Sequence, residues 1–180
     1  IAHHKHVQDM YEKLLADVKG INVHKQPTTG EYDSNYWLCT ITIDEDVKII
    51  GQENAYREVI NSAVGGAAGV INIVDSPTTD CQPNDNIEAL RVYMLSKKIE
   101  ARPVWKPMHK QPVYTGIENG ELKIENFGDG VICQTSDKSV AYVNGVSEAV
   151  FKVGMCLPAG PCVTDEDVEY IVETIKSAIA

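Results

Sequence analysis

The residues best equipped for chemistry gather in one stretch, 97–110, which reads KKIEARPVWKPMHK and sets Lys97, Lys98, Arg102, Lys106, His109 and Lys110 around Trp105 and rigid prolines. An arginine offers a planar fork to a carboxylate or phosphate, a tryptophan a flat apolar wall, and a histidine a donor or acceptor near neutral pH. Such a set suits an anionic ligand that carries a ring. The same composition equally describes a solvated basic loop with Trp105 tucked into the core, and residue types alone do not choose between the two.

Other reactive residues make weaker constellations. His3 and His6 stand one helical turn apart with His4 beside them, but two imidazoles without a third fixed ligand do not make a metal site, and none is expected. Cysteines occur at 39, 81, 133, 156 and 162. Cys156 and Cys162, in CLPAGPC, have neither zinc-finger nor redox spacing, so buried small hydrophobes are the expectation. GGAAG at 65–69 follows a helical pattern and lacks the Lys-Ser/Thr of a phosphate-binding loop, which makes it a connection or close-packing segment.

Elsewhere the chain sets bounds on what these residues serve. Its 180 residues suit one compact domain, or one with a long insertion, and 43% hydrophobic with 23% charged residues is near the globular average. A net charge of −10 disfavours nucleic acid, which needs a basic face. No apolar run reaches the roughly 20 residues of a membrane span. An odd number of cysteines at irregular spacing points to a reducing cytoplasm. The apolar stripe begins almost at Ile1, which implies a helix continuing upstream in a longer protein.

Several elements must position the basic stretch. Val7, Met10, Tyr11, Leu14, Leu15 and Val18 mark one face of a helix that Gly20 stops. Residues 35–44, NYWLCTITID, read as a buried strand, 53–64 as a helix, and 70–74 as a short strand before a turn-rich loop. A further helix is capped by Asp85 or Asn86 and carries Ile87, Leu90, Met94 and Leu95, leading into an extended segment at 99–104. Asn-Gly and Asp-Gly pairs between 115 and 144 predict two or three small antiparallel strands. Thr164 and Asp167 form a capping box before a helix with Val168, Ile171, Val172, Ile175 and Ile179 inward. Helices and strands without regular alternation predict an α+β fold, or a small α/β layer, with helices on one face of a mixed or antiparallel sheet.

Three segments then carry a resemblance. SNYWL (34–38), EARPVWKPMHKQPVY (100–114) and FKVGMCLPAGPCVTDEDV (151–168) resemble the C-terminal part of the DegT/StrS-type nucleotide-sugar aminotransferases. RPxWKPMHxQP is the specific motif, and LPxGxxxTDED before the last helix supports it independently. The likeness makes residues 1–180 a C-terminal domain interrupted by a helical, Gly-rich insertion at 45–85 and a β-hairpin insertion at 115–144. It implies the small C-terminal domain of a fold-type I enzyme that uses pyridoxal phosphate to move an amino group, usually from glutamate, to a keto sugar on a nucleotide diphosphate. It further implies a cytoplasmic homodimer with active sites at the subunit interface, working in polysaccharide or glycan biosynthesis.

What the resemblance places elsewhere matters as much. The Schiff-base lysine, the carboxylate facing the pyridinium nitrogen and the phosphate loop belong to a large N-terminal domain, so no catalytic or cofactor-binding residue is expected here and the chain alone should be inactive. Arg102, Trp105 and His109 match positions lining the sugar-nucleotide side of the active site. Asn35 and Trp37 match SNYWL and are expected to support packing and backbone. The competing expectation is a stand-alone, non-catalytic domain that binds an anionic metabolite or serves assembly.

Overall fold

The computed structural model describes residues 1–27, 30–56, 81–111, 123–127, 130–136 and 139–180, with backbone only over the strands between 123 and 142. The chain divides into two compact units: Ile1–Tyr56, Pro83–Val104 and Val153–Ala180 make the first, and Arg57–Gln82 with Trp105–Lys152 the second.

In the first unit, helix α1 (Ala2–Leu14) leads into strands β1 (Ile21–Val23) and β2 (Cys39–Ile43). Helix α2 (Asp85–Ser96) precedes the short strand β3 (Arg102–Pro103). Strand β7 (Gly154–Leu157) and the final helix α4 (Asp165–Ala178) complete it. The sheet order is β1-β2-β7-β3, with every neighbouring pair antiparallel. This is the expected α+β layer. Ile41 faces Met155 and Cys39 faces Leu157 across the β2–β7 ladder. Those four join Val7, Tyr11, Ile87, Leu90, Val168, Ile171 and Ile175 in one buried cluster, so α1, α2 and α4 lie on the same sheet face. Each such Leu or Ile contributes about 1.5–3 kcal/mol by leaving water. Leu14, expected in the core, is half-buried against it, and Leu95, expected on the inner stripe of α2, is exposed.

Local chemistry sets the element ends. Gly20 has φ +80°, and a Cβ there would run into the Val47 side chain, so only glycine makes the turn into β1. The α2 cap is Asn84, one residue before the expected pair, its Oδ1 accepting from the Ile87 amide at 3.0 Å. In α4 the expected capping box is complete: Thr164 Oγ1 accepts from the Asp167 amide at 3.2 Å, and Asp167 Oδ2 from the Thr164 amide at 2.9 Å. Strand β2 starts later than expected because 34–37 forms a turn. Ser34 Oγ accepts from the Tyr36 amide and Asn35 Oδ1 from that of Trp37, with Tyr36 at φ +52°.

The second unit contains strands β4 (Lys123–Phe127), β5 (Gly130–Ser136) and β6 (Ser139–Val143), paired antiparallel in the order β4-β5-β6. Ile124 opposes Cys133, and Ile132 opposes Tyr142, with an irregularity between Gln134 and Ser136. These are the strands the Asn-Gly and Asp-Gly pairs imply. Helix α3 (Val146–Val153) follows, outside every element expected from the sequence. Asn144 Oδ1 accepts from the Val146 amide at 3.2 Å at its start. The expected strand at 70–74 and the GGAAG run lie outside the described residues, as does most of the helix expected at 53–64; of its described residues, Glu53 and Asn54 belong to the 3-10 turn Gln52–Asn54, and Ala55 and Tyr56 are α-helical.

Candidate functional site

The basic stretch is shared between the two units, Arg102 falling in the first and Trp105 and His109 in the second. Arg102 sits on edge strand β3 opposite Cys156 of β7 and is exposed. Its Nε and Nη2 both donate to Glu100 Oε1, at 3.0 and 2.5 Å. Both partners stand in water, where such a pair contributes little and exchanges readily, so the guanidinium can trade Glu100 for a ligand's anionic oxygen.

Within the second unit, prolines and a 3-10 turn aim the WKPMH side chains. Pro107 opens the turn Met108–Lys110, closed by the Lys110 amide on the Pro107 carbonyl at 2.9 Å and the Gln111 amide on that of Met108 at 3.0 Å. Gln111 Nε2 also donates to the Lys106 carbonyl at 3.0 Å. Residues of this stretch differ sharply in exposure. Trp105 and Met108 are each more than 60% exposed, whereas His109 is 9% exposed. Trp105 is therefore not tucked into a core.

His109 Nε2 lies 2.6 Å from Oε1 of Glu148, in the first turn of α3. Ser147 Oγ donates to the other carboxylate oxygen at 3.2 Å. Partial burial pushes the Glu148 carboxyl up, but its own backbone amide and His109 outweigh that and hold it below the usual carboxylate value. The carboxylate is thus ionised at neutral pH and accepts only. Beside the pair an open cleft of about 210 Å³ is lined by Cys81, Gln82, Lys110, Glu148, Ala149 and Lys152. Sequence reasoning missed Glu148. It stands 39 residues from His109 in AYVNGVSEAVF, which carries no motif.

The remaining candidates fall apart as sites. His6 Nε2 of α1 meets Asp165 Oδ1 at the start of α4 at 2.8 Å, and the rings of His3 and His4 meet edge to face. Among the described residues no group of three His, Cys, Asp or Glu is placed to hold a metal. Cys39 and Cys81 are buried, Cys156 half-buried and Cys162 exposed, all as thiols. Asn35 supports the backbone as expected, but Trp37 is 63% exposed instead of packed. No lysine whose side chain is described is buried. A Schiff-base lysine needs a desolvated pocket and a cofactor-facing carboxylate, so the described residues do not fit a pyridoxal phosphate cradle. No helix among them is long and apolar enough to cross a membrane.

The fold is that of a part of the sugar aminotransferases. A DegT/DnrJ/EryC1/StrS aminotransferase from Brucella abortus superposes with a TM-score of 0.53 at 14% identity, over 98% of this chain and 30% of its own. Sugar aminotransferase Spr1654 from Streptococcus pneumoniae, in its PMP form, gives 0.55 at 14% identity over 98% and 30%. Aminotransferase TlmJ from Streptoalloteichus hindustanus gives 0.53 at 13% over 99% and 31%. In sequence, the chain is 23% identical over 165 residues to EpsN of Bacillus subtilis, which is named as a pyridoxal phosphate-dependent aminotransferase, covering 92% of this chain and 28% of EpsN. No family model matches. The chain thus spans about three-tenths of the length of the proteins it resembles.

Proposed function

We propose that this chain is the C-terminal part of a cytoplasmic, homodimeric, pyridoxal phosphate-dependent aminotransferase that moves an amino group from glutamate to a nucleotide-linked keto sugar in polysaccharide or glycan biosynthesis. The observation that carries the reading is the fold likeness, which takes in nearly all of this chain but only three-tenths of each sugar aminotransferase. The cofactor, which supplies an electron sink for transamination, is held by an N-terminal domain outside these 180 residues. In this reading the chain contributes Arg102 for an anionic oxygen, Trp105 for an apolar ring face and His109 for a polar group of the sugar nucleotide. Residues 45–85 and 115–144 are insertions into this C-terminal domain.

The test separates the two half-reactions of the intact protein, since glutamate and sugar meet the enzyme at different times. Arg102→Ala and His109→Ala should slow the sugar half-reaction by well over tenfold, because a lost charged hydrogen bond in a desolvated site costs about 2–5 kcal/mol, while conversion of the cofactor by glutamate stays near wild type. Equal loss in both would remove these residues from the sugar site. An intact protein that converts no nucleotide-linked keto sugar would sink the reading, and an open reading frame starting just upstream of Ile1 would favour a stand-alone anion-binding domain.

A further inference from the structure

We propose that Glu148 is a positioning residue for His109, committing Nε2 of the ring so that Nδ1 is the atom left to meet the sugar nucleotide. The inference rests on the reading of the WKPMH stretch given above. Its basis is the 2.6 Å contact between a histidine nine-tenths buried and a carboxylate fixed in the first turn of α3. An ionised carboxylate has no proton to give, so the proton between the two belongs to Nε2. In the neutral ring Nδ1 then carries a lone pair and can only accept. In that form a sugar hydroxyl can donate to it, whereas a ring protonated on both nitrogens would donate from Nδ1 to an acceptor oxygen.

The arrangement assigns the two basic-stretch residues different tasks. Arg102, exposed and paired with an exchangeable Glu100, is suited to an anionic oxygen. His109 is oriented by Glu148, which engages Nε2 and leaves Nδ1 as the ring atom for a polar group of the ligand. Glu148 touches no ligand in this scheme and acts through the imidazole. A purely structural pair would instead use the same contact only to tie the 3-10 turn to α3.

Two measurements on the intact protein decide the matter. Histidine-selective ¹⁵N NMR at mildly alkaline pH, with His109 assigned from His109→Gln, should show the ring proton on Nε2, and Glu148→Ala should shift protonation toward Nδ1. A proton resident on Nδ1 in the wild type overturns the proposal, whether or not a sugar substrate has been found. In half-reactions, Glu148→Ala should slow the sugar step about tenfold to hundredfold and leave the glutamate step unchanged. Adding it to His109→Ala should cost nothing further, since the two act as one unit. Glu148→Gln, which retains an acceptor, should recover most of the loss, and it serves as the folded control if the alanine variant is unstable. A normal sugar step in Glu148→Ala beside a slowed one in His109→Ala overturns the positioning role and leaves the aminotransferase reading standing. A wild type with the proton on Nε2 but no activity toward any nucleotide-linked keto sugar would strike that reading instead, leaving the tautomer assignment in place.

Discussion

The hydroxyl of Tyr11, on the inward face of α1, donates a 2.8 Å hydrogen bond to the main-chain carbonyl of Pro158, just beyond β7. Burial drives the hydroxyl's pKa far above its ordinary value, so it remains a donor at any workable pH. Tyr11→Phe keeps the packing and strands the Pro158 carbonyl. The expected loss is about 1–2 kcal/mol, read as a lower urea midpoint with an unchanged slope.

A larger effect is expected at the pair of Glu88 and Arg91 on α2. Nε and Nη2 of Arg91 reach the two oxygens of Glu88 at 2.8 and 2.6 Å, and the Glu88 side chain is only 1% exposed. Arg91→Ala leaves a buried carboxylate alone and should cost about 3–5 kcal/mol, whereas replacing both residues by apolar ones should recover much of it. A loss under about 1 kcal/mol in the single variant, measured by denaturant unfolding, would contradict this burial of the charge.

Thiol chemistry should sort the cysteines by environment. Burial, helped by Glu12 and the neighbouring Cys156, pushes the Cys39 thiol up to about 12, while Cys162 is exposed. The thiolate is the nucleophile, so iodoacetamide at mildly alkaline pH should label Cys162 well before Cys39. Mass spectrometry of early digests checks the order, and Cys39 should become reactive once the protein is unfolded.

The His109–Glu148 pair also predicts a pH dependence. Because the folded protein holds the Glu148 carboxyl below its usual value, its stabilisation is present in full above the ordinary carboxylate range and is lost as pH falls through the folded value. Glu148→Gln should therefore be less stable than wild type at neutral pH, with the gap closing on acidification. A gap that persists in acid would mean that the pair works by shape alone.

The elements legible in the sequence are those written in short-range patterns. The stripes of α1 and α4, the Thr164–Asp167 box and the antiparallel strands between 123 and 143 depend on residues within a few positions of each other, where periodicity and turn chemistry act. The specific RPxWKPMHxQP segment likewise pointed to the sugar aminotransferases whose fold the chain shares in part. Tertiary structure decided the rest. Strand β7 is four residues long and gains its place only by pairing with β2, more than a hundred positions away in the chain, and with β3. Trp37 and Trp105 are of a type that favours burial, yet a side-chain-supported turn and a proline-opened turn leave both in solvent. His109 was visible as a residue type, but its partner was not, because a hydrogen bond across 39 residues leaves no periodic trace. Spacing along the chain fixes which local face is apolar; which polar atoms meet is fixed only when distant segments close on one another and each buried donor must find its acceptor.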